Sequence, residues 1–174
     1  MIMDGLLLFD GSVSAAGVLG GTVVSSGTTF VVGATDSANV IDVSQLAGSS
    51  SGYGRDIGIG DGLQLVCMVG TAFTSGGLAT MAVSISTAPD SGSGTAGTWV
   101  VLETGPAVAV ASLTAGTELL RVPIPLGVQK FLKLTYTVAV ANMTAGAIIS
   151  AMVLDRQALG TLYGYRSGYS NTYL

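Results

Sequence analysis

Histidine is absent from this 174-residue sequence, and with it goes every Ser-His-Asp or Cys-His arrangement for nucleophilic catalysis. The one cysteine, Cys67, excludes an intrachain disulfide framework and a cysteine-built zinc site. It fits synthesis in a reducing compartment. Charge is equally sparse: 9% of residues are Asp, Glu, Lys or Arg, against the usual quarter or so. The six basic residues, Arg55, Arg121, Lys130, Lys133, Arg156 and Arg166, are scattered. No cluster exists to neutralise a row of phosphates, so no nucleic-acid partner is expected. Aromatics reach only 6%, with one tryptophan, which leaves little to stack on a sugar.

What is present is apolar and small. Apolar residues make up 49% of the chain, too many for disorder over most of its length. A chain of this size buries roughly 70% of its unfolded surface as one domain, without a metal or disulfide staple. Mean hydropathy is +0.66, yet no membrane span is expected. One charge-free candidate long enough to cross a bilayer, 134–154, alternates in period two and contains the turn-like "ANMTAG", which reads as two strands and a turn. At the other end, "MIMDGLLLFDG" places Asp4 where a secretory signal carries positive charge, and its apolar core is too short for one.

Strand signals dominate. In "FLKLTYTVAV", Leu132, Leu134, Tyr136, Val138 and Val140 fall on one face, with Lys133, Thr135, Thr137, Ala139 and Phe131 on the other. "LQLVCMV" groups Leu63, Leu65, Cys67 and Val69; "ATMAVSIS" groups Ala79, Met81, Val83 and Ile85. Shorter candidates are 39–43, 98–103, 118–124 and 148–154, with weaker ones in "GTVVSS" and "TTFVVGA". "FTSGG", "APDSGSGTAG", "LTAG" and "MTAG" carry turn chemistry. Short strands at this spacing, with no long helical pattern, argue for an all-β, antiparallel β-sandwich or jelly roll.

The stretch "GYGRDIGIGDGLQLVCMV" (52–69) invites comparison with phosphate-cradling loops. Its glycines lack the G-x-G-x-x-G spacing and lead into a strand, where a dinucleotide site needs a helix. They are read as turn glycines. Asp56 and Asp61, with Asp10, Asp36 or Asp42, are weighed as calcium ligands, but no EF-hand order or dense Asp repeat is present. No metal or cofactor is assigned. Glu103 with Glu118 or Asp90 lacks any spacing that marks a glycosidase pair. Cys67 is read as a small buried hydrophobe and Trp99 as a core residue. No catalytic residue is assigned.

After "VLDRQ", the segment "ALGTLYGYRSGYSNTYL" has neither strand alternation nor a helix face. It is read either as a frayed terminus or as an arm that lays tyrosine rings on a neighbouring subunit. The resulting division is a sandwich domain over 1–157, including an N-terminal arm, and a tyrosine-rich C-terminal arm over 158–174.

"NVIDV" (39–43), "GRDIGIGDGLQLVCMV", "AFTSGGLATMAVSISTAPD" and the run from "GTWVVLE" to "VLDRQ" resemble the capsid cement, or decoration, proteins of short-tailed bacteriophages. The likeness covers roughly residues 1–157. Its most specific pieces are "RDIG" with the strand after it, the Asp/Gly/Ser loop before Trp99, "FLKLTYTV" and "VLDRQ". It implies a jelly-roll-like sandwich on the outer surface of an HK97-type capsid, made in the host bacterial cytoplasm and free of enzyme activity. The implied partners are the major capsid protein and further copies of the chain, as a dimer or trimer, with no membrane. Arg55, Asp56, Tyr163, Tyr165 and Tyr169 are the candidate protein-contact residues. Two rival readings are a carbohydrate-binding sandwich for host attachment and a low-copy tail or head-tail joining protein. The sequence departs from the resemblance in the Gly/Ser/Thr/Val segment 11–35 and in the tail.

Overall fold

The structure, a computed structural model, describes residues 8–13, 19–20, 22–23, 30–43, 63–92 and 94–154. In chain order the strands are β1 (Leu8–Asp10), β2 (Ser12–Val13), β3 (Leu19–Gly20), β4 (Thr22–Val23), β5 (Gly33–Asp36), β6 (Ile41–Asp42) and β7 (Leu63–Ser75). Then follow β8 (Thr80–Ala88), β9 (Val100–Thr104), β10 (Val108–Ala109), β11 (Glu118–Pro123), β12 (Phe131–Ala139) and β13 (Met143–Leu154). A 3₁₀ turn, Val110–Ser112, lies between β10 and β11. The chain is all-β, and among the described residues every strand pairing is antiparallel.

Two sheets face each other. One runs β1-β13-β7-β11, with β4 also on the free side of β13; the other runs β10-β8-β12-β5, with β9 beside β8 and β6 beside β12. Period-two alternation sends one side of each long strand into the space between them. Ala79, Met81, Val83 and Ile85 of the β8 segment are fully buried, as are Leu65 and Cys67 of β7, and Leu132, Leu134 and Tyr136 of β12. Each fully buried aliphatic side chain contributes about 1.5–3 kcal/mol. Phe30 lies edge-on to both Tyr136 and Phe73, with ring centroids 5.3 and 5.8 Å apart.

The sandwich is closed along both sides by chain that crosses between the sheets. On one side, Asn39 donates its backbone N–H to the Phe9 carbonyl at 2.9 Å and its side-chain amide to the Leu8 carbonyl at 3.2 Å. That ties β1 to the segment joining β5 and β6. On the other, Val110 donates to the Ala79 carbonyl at 2.8 Å and Phe73 to the Leu113 carbonyl at 2.9 Å. The link from β10 to β11 therefore covers the gap.

Four sequence expectations change. "MTAG" (143–146) is not a turn: β13 begins at Met143 and absorbs Gly146 as an irregularity, where register against β7 shifts. Gly146 has φ +136°, and a Cβ there would lie 2.4 Å from the Phe73 ring, so the bulge makes room for that ring. Phe131, placed by alternation on the wetter face, is buried. Val140, placed on the inward face, lies beyond the end of β12 and is exposed. Trp99 is only half-buried and lies outside the core cluster. The "LTAG" turn forms as expected, with Gly116 at φ +87°.

Candidate functional site

Polar chemistry inside the sandwich converges on one carboxylate. Asp10 of β1 is buried and accepts hydrogen bonds from the Tyr136 hydroxyl, from Ser150 Oγ at 3.0 Å and from the Ala38 backbone N–H at 2.9 Å. Tyr136 and Ser150 oxygens are themselves 3.0 Å apart. Asp10 faces Ser150 because β1 and β13 pair at that position. Burial pushes its carboxyl above the ordinary range, and the three donors pull it back only in part. Burial, then the Asp10 charge, raises the neighbouring Cys67 thiol as well. The Tyr136 phenol is driven up chiefly by burial. Held by three donors between two sheets, Asp10 is an inter-sheet tie.

The outward faces carry a different pattern. Lys133 Nζ lies 2.6 Å from Asp36 Oδ2 and 4.6 Å from the Trp99 ring centroid. The Thr135 hydroxyl donates to the other Asp36 oxygen at 2.8 Å. Burial is the largest single influence on the Asp36 carboxyl and raises it, but Lys133 and Thr135 together hold it below the ordinary carboxylate range. Lys130 pairs with Asp90 at 2.5 Å, and Asp90 Oδ1 accepts the backbone N–H groups of Gly92 and Gly94. Arg121 pairs with Glu118 at 2.5 Å. Among the described residues, then, each of the three cations is matched by a carboxylate. Trp99 carries the Lys133 ammonium over its ring. Glu103 lies on β9 and Glu118 on β11, in different sheets, while Asp90 pairs with Lys130.

The predicted contact residues Arg55, Asp56, Tyr163, Tyr165 and Tyr169 lie outside the described residues, as do the glycine-rich loop 52–62, Asp61 and the tail. The described surface exposes Val31, Val32, Val40, Leu78, Val100, Val101, Leu126 and Val140. Val100 and Val101 sit on β9, which among the described residues pairs only with β8. Sequence reasoning missed the Asp10–Tyr136–Ser150 tie. Its signal is a polar Ser150 between Ile148 and Met152 on an otherwise apolar face.

A family model described as Bbp16 matches residues 24–153, well over half of the chain, and the protein belongs to that family. No curated protein matches it.

Proposed function

We propose that this Bbp16-family chain is a structural virion protein: a jelly-roll-like sandwich without enzyme activity that binds the outer surface of an HK97-type phage capsid. There it stabilises the shell by holding neighbouring capsomers together. The observation that carries this reading is the internal neutralisation of Arg121, Lys130 and Lys133 on a surface with few charges to begin with. Such a surface has little to offer a polyanion and suits close packing against protein. The sequence stretches that resemble capsid cement proteins supply the principal strands of both sheets, β6 to β13.

Such a protein works by mass action. Binding the assembled shell and not the separated subunits shifts the equilibrium toward the intact particle. Each contact can be modest, because simultaneous contacts raise effective concentration. The test is the copy number of this chain per major capsid protein in purified particles, measured by quantitative mass spectrometry. A ratio near one, or a simple fraction, is the expected result. A few copies per particle would reassign it to the tail or a vertex, and absence would remove the virion reading.

A further inference from the structure

One end of the sandwich combines three properties that are not found together elsewhere among the described residues. It is formed by the β7–β8 turn (76–79), the β12–β13 turn (140–142) and residues 30–32. These lie side by side: a Cβ on Gly77 would come within 2.9 Å of the Ala141 Cβ. Ser75 Oγ donates to the Asn142 carbonyl at 2.7 Å, and the Val32 N–H donates to Asn142 Oδ1 at 2.8 Å.

The first property is exposed aliphatic surface. Leu78 is 84% and Val140 72% exposed, and Val31 and Val32 are exposed beside them. Single exposed aliphatics are ordinary on any protein; four on adjoining turns form a patch.

The second is the absence of charge. No Asp, Glu, Lys or Arg occurs in 30–35, 65–89, 104–117 or 134–154, the segments that build and surround this end. The three ion pairs belong to other parts of the surface. Lys130 and Asp90 lie at the opposite end of β12 and β8, and Asp36 pairs with Thr135, four residues down β12 from Ala139.

The third is backbone strain. Ala141 donates to the Ala139 carbonyl at 3.0 Å, closing a three-residue turn around Val140, whose φ is +73°. It is the one non-glycine residue with positive φ among those described. A β-branched side chain is disfavoured there, and glycine would relieve it. A strained residue held with its side chain in solvent gains nothing for the fold, and such strain collects at binding sites.

We infer that this charge-free end, centred on Leu78 and Val140 with Val31 and Val32, is the face that docks on the shell, seated on an apolar, uncharged patch of the assembled capsid surface. The inference rests on the function proposed above. Size favours an array over a second copy of the chain as the occupant. Four aliphatic side chains fall well short of the about 800 Å² and some 20–30 residues per partner that a stable pair uses. A small patch is sufficient where one chain also touches a neighbouring capsomer, so that its own simultaneous contacts reinforce one another.

The test uses particles assembled without this chain and the purified full-length chain added back, with binding read by co-sedimentation across a concentration series. Leu78→Asp, which places a charge in the patch, should weaken binding at least about tenfold while leaving the melting temperature near that of the parent. Val140→Gly removes the side chain and the strain together, and should weaken binding several-fold in a protein that is more stable than the parent. Leu126→Asp, an equally exposed site at the opposite end, should bind as the parent does. If the parent binds and both patch variants bind equally well, the docking face is wrong and the function stands. If the parent does not bind such particles, the functional reading falls and takes this occupant with it.

Discussion

The Tyr136 hydroxyl on β12 donates to the Asp10 carboxylate on β1, so a hydrogen bond to a charged group joins the two sheets through the middle of the sandwich. Such a bond is worth about 1.5–3 kcal/mol when its partner would otherwise be stranded. Tyr136→Phe should therefore lower unfolding free energy by about 2 kcal/mol at pH 7. The loss should shrink in acid, where a protonated Asp10 needs fewer donors. Urea unfolding at pH 7 and pH 4 checks both parts; an equal loss at the two values would sink the argument.

Asp10 itself sets a second pH dependence. Its folded pKa is raised, so the folded state holds the proton more tightly than the unfolded chain does. The ionised group thus costs stability at neutral pH, and that cost disappears as pH falls from above the raised value to below the unfolded value near 3.8. Asp36, Asp90 and Glu118 act in the opposite sense. Each is depressed, so their contribution is present above the unfolded value and is lost as pH falls through the folded one. Asp10→Asn deletes only the first effect. Relative to this variant, the parent should gain stability on acidification, as read by melting temperatures from pH 7 to pH 3.

Gly146 is held open for Phe73. Adding a methyl group would place it 2.4 Å from the ring at a backbone angle side chains avoid. Gly146→Ala should cost about 3 kcal/mol or more. A second change, Phe73→Ala, should recover part of that loss by removing the ring atoms that overlap but not the backbone strain. A double-mutant cycle in urea measures the coupling.

The Cys67 thiol is completely buried with its pKa raised. It should resist alkylation in the folded protein and react at the rate of a free thiol in denaturant. Fast labelling under native conditions would mean that β7 opens far more readily than its central position implies.

Lys133 bridges Asp36 and the Trp99 ring. Lys133→Ala should change Trp99 fluorescence clearly while altering stability by less than about 1 kcal/mol, because the Asp36 side chain is 53% exposed and solvent screens the pair. Emission spectra and thermal melts of the variant test the two halves separately.

The faces of the long strands are legible in the sequence alone. Ala79, Met81, Val83 and Ile85 alternate with the small residues Thr80, Ala82 and Ser84, and all four are buried, since a sheet with one apolar face leaves them nowhere else to go. The ends of strands are harder. "MTAG" has turn composition, yet extended pairing with β7 overrides it and Gly146 serves a ring 73 residues earlier in the chain. Trp99 misleads for a related reason: its large apolar area suggests the core, whereas a partner from another strand, Lys133, covers it on the outside. The Asp10 tie depends on β1 meeting β13, a pairing of positions some 140 residues apart that no local pattern announces. The contact residues proposed from sequence, Arg55, Asp56 and the tail tyrosines, lie beyond the described residues. The charge-free end becomes visible only through the contact between the turns at 76–79 and 140–142.

The pairing of Leu8 with Ala151 also fixes how the molecule responds to pulling. Because β1 and β13 run antiparallel, residue 8 and residue 154 lie toward the same end of that pair. Tension applied between them would open its hydrogen bonds one after another, like a zipper. It would not load them together in shear. A tether running through these two points would therefore yield at low force. Any lasting load borne by the protein is better transmitted through the long central strands β7, β8 and β12 than through the segments that flank the sandwich.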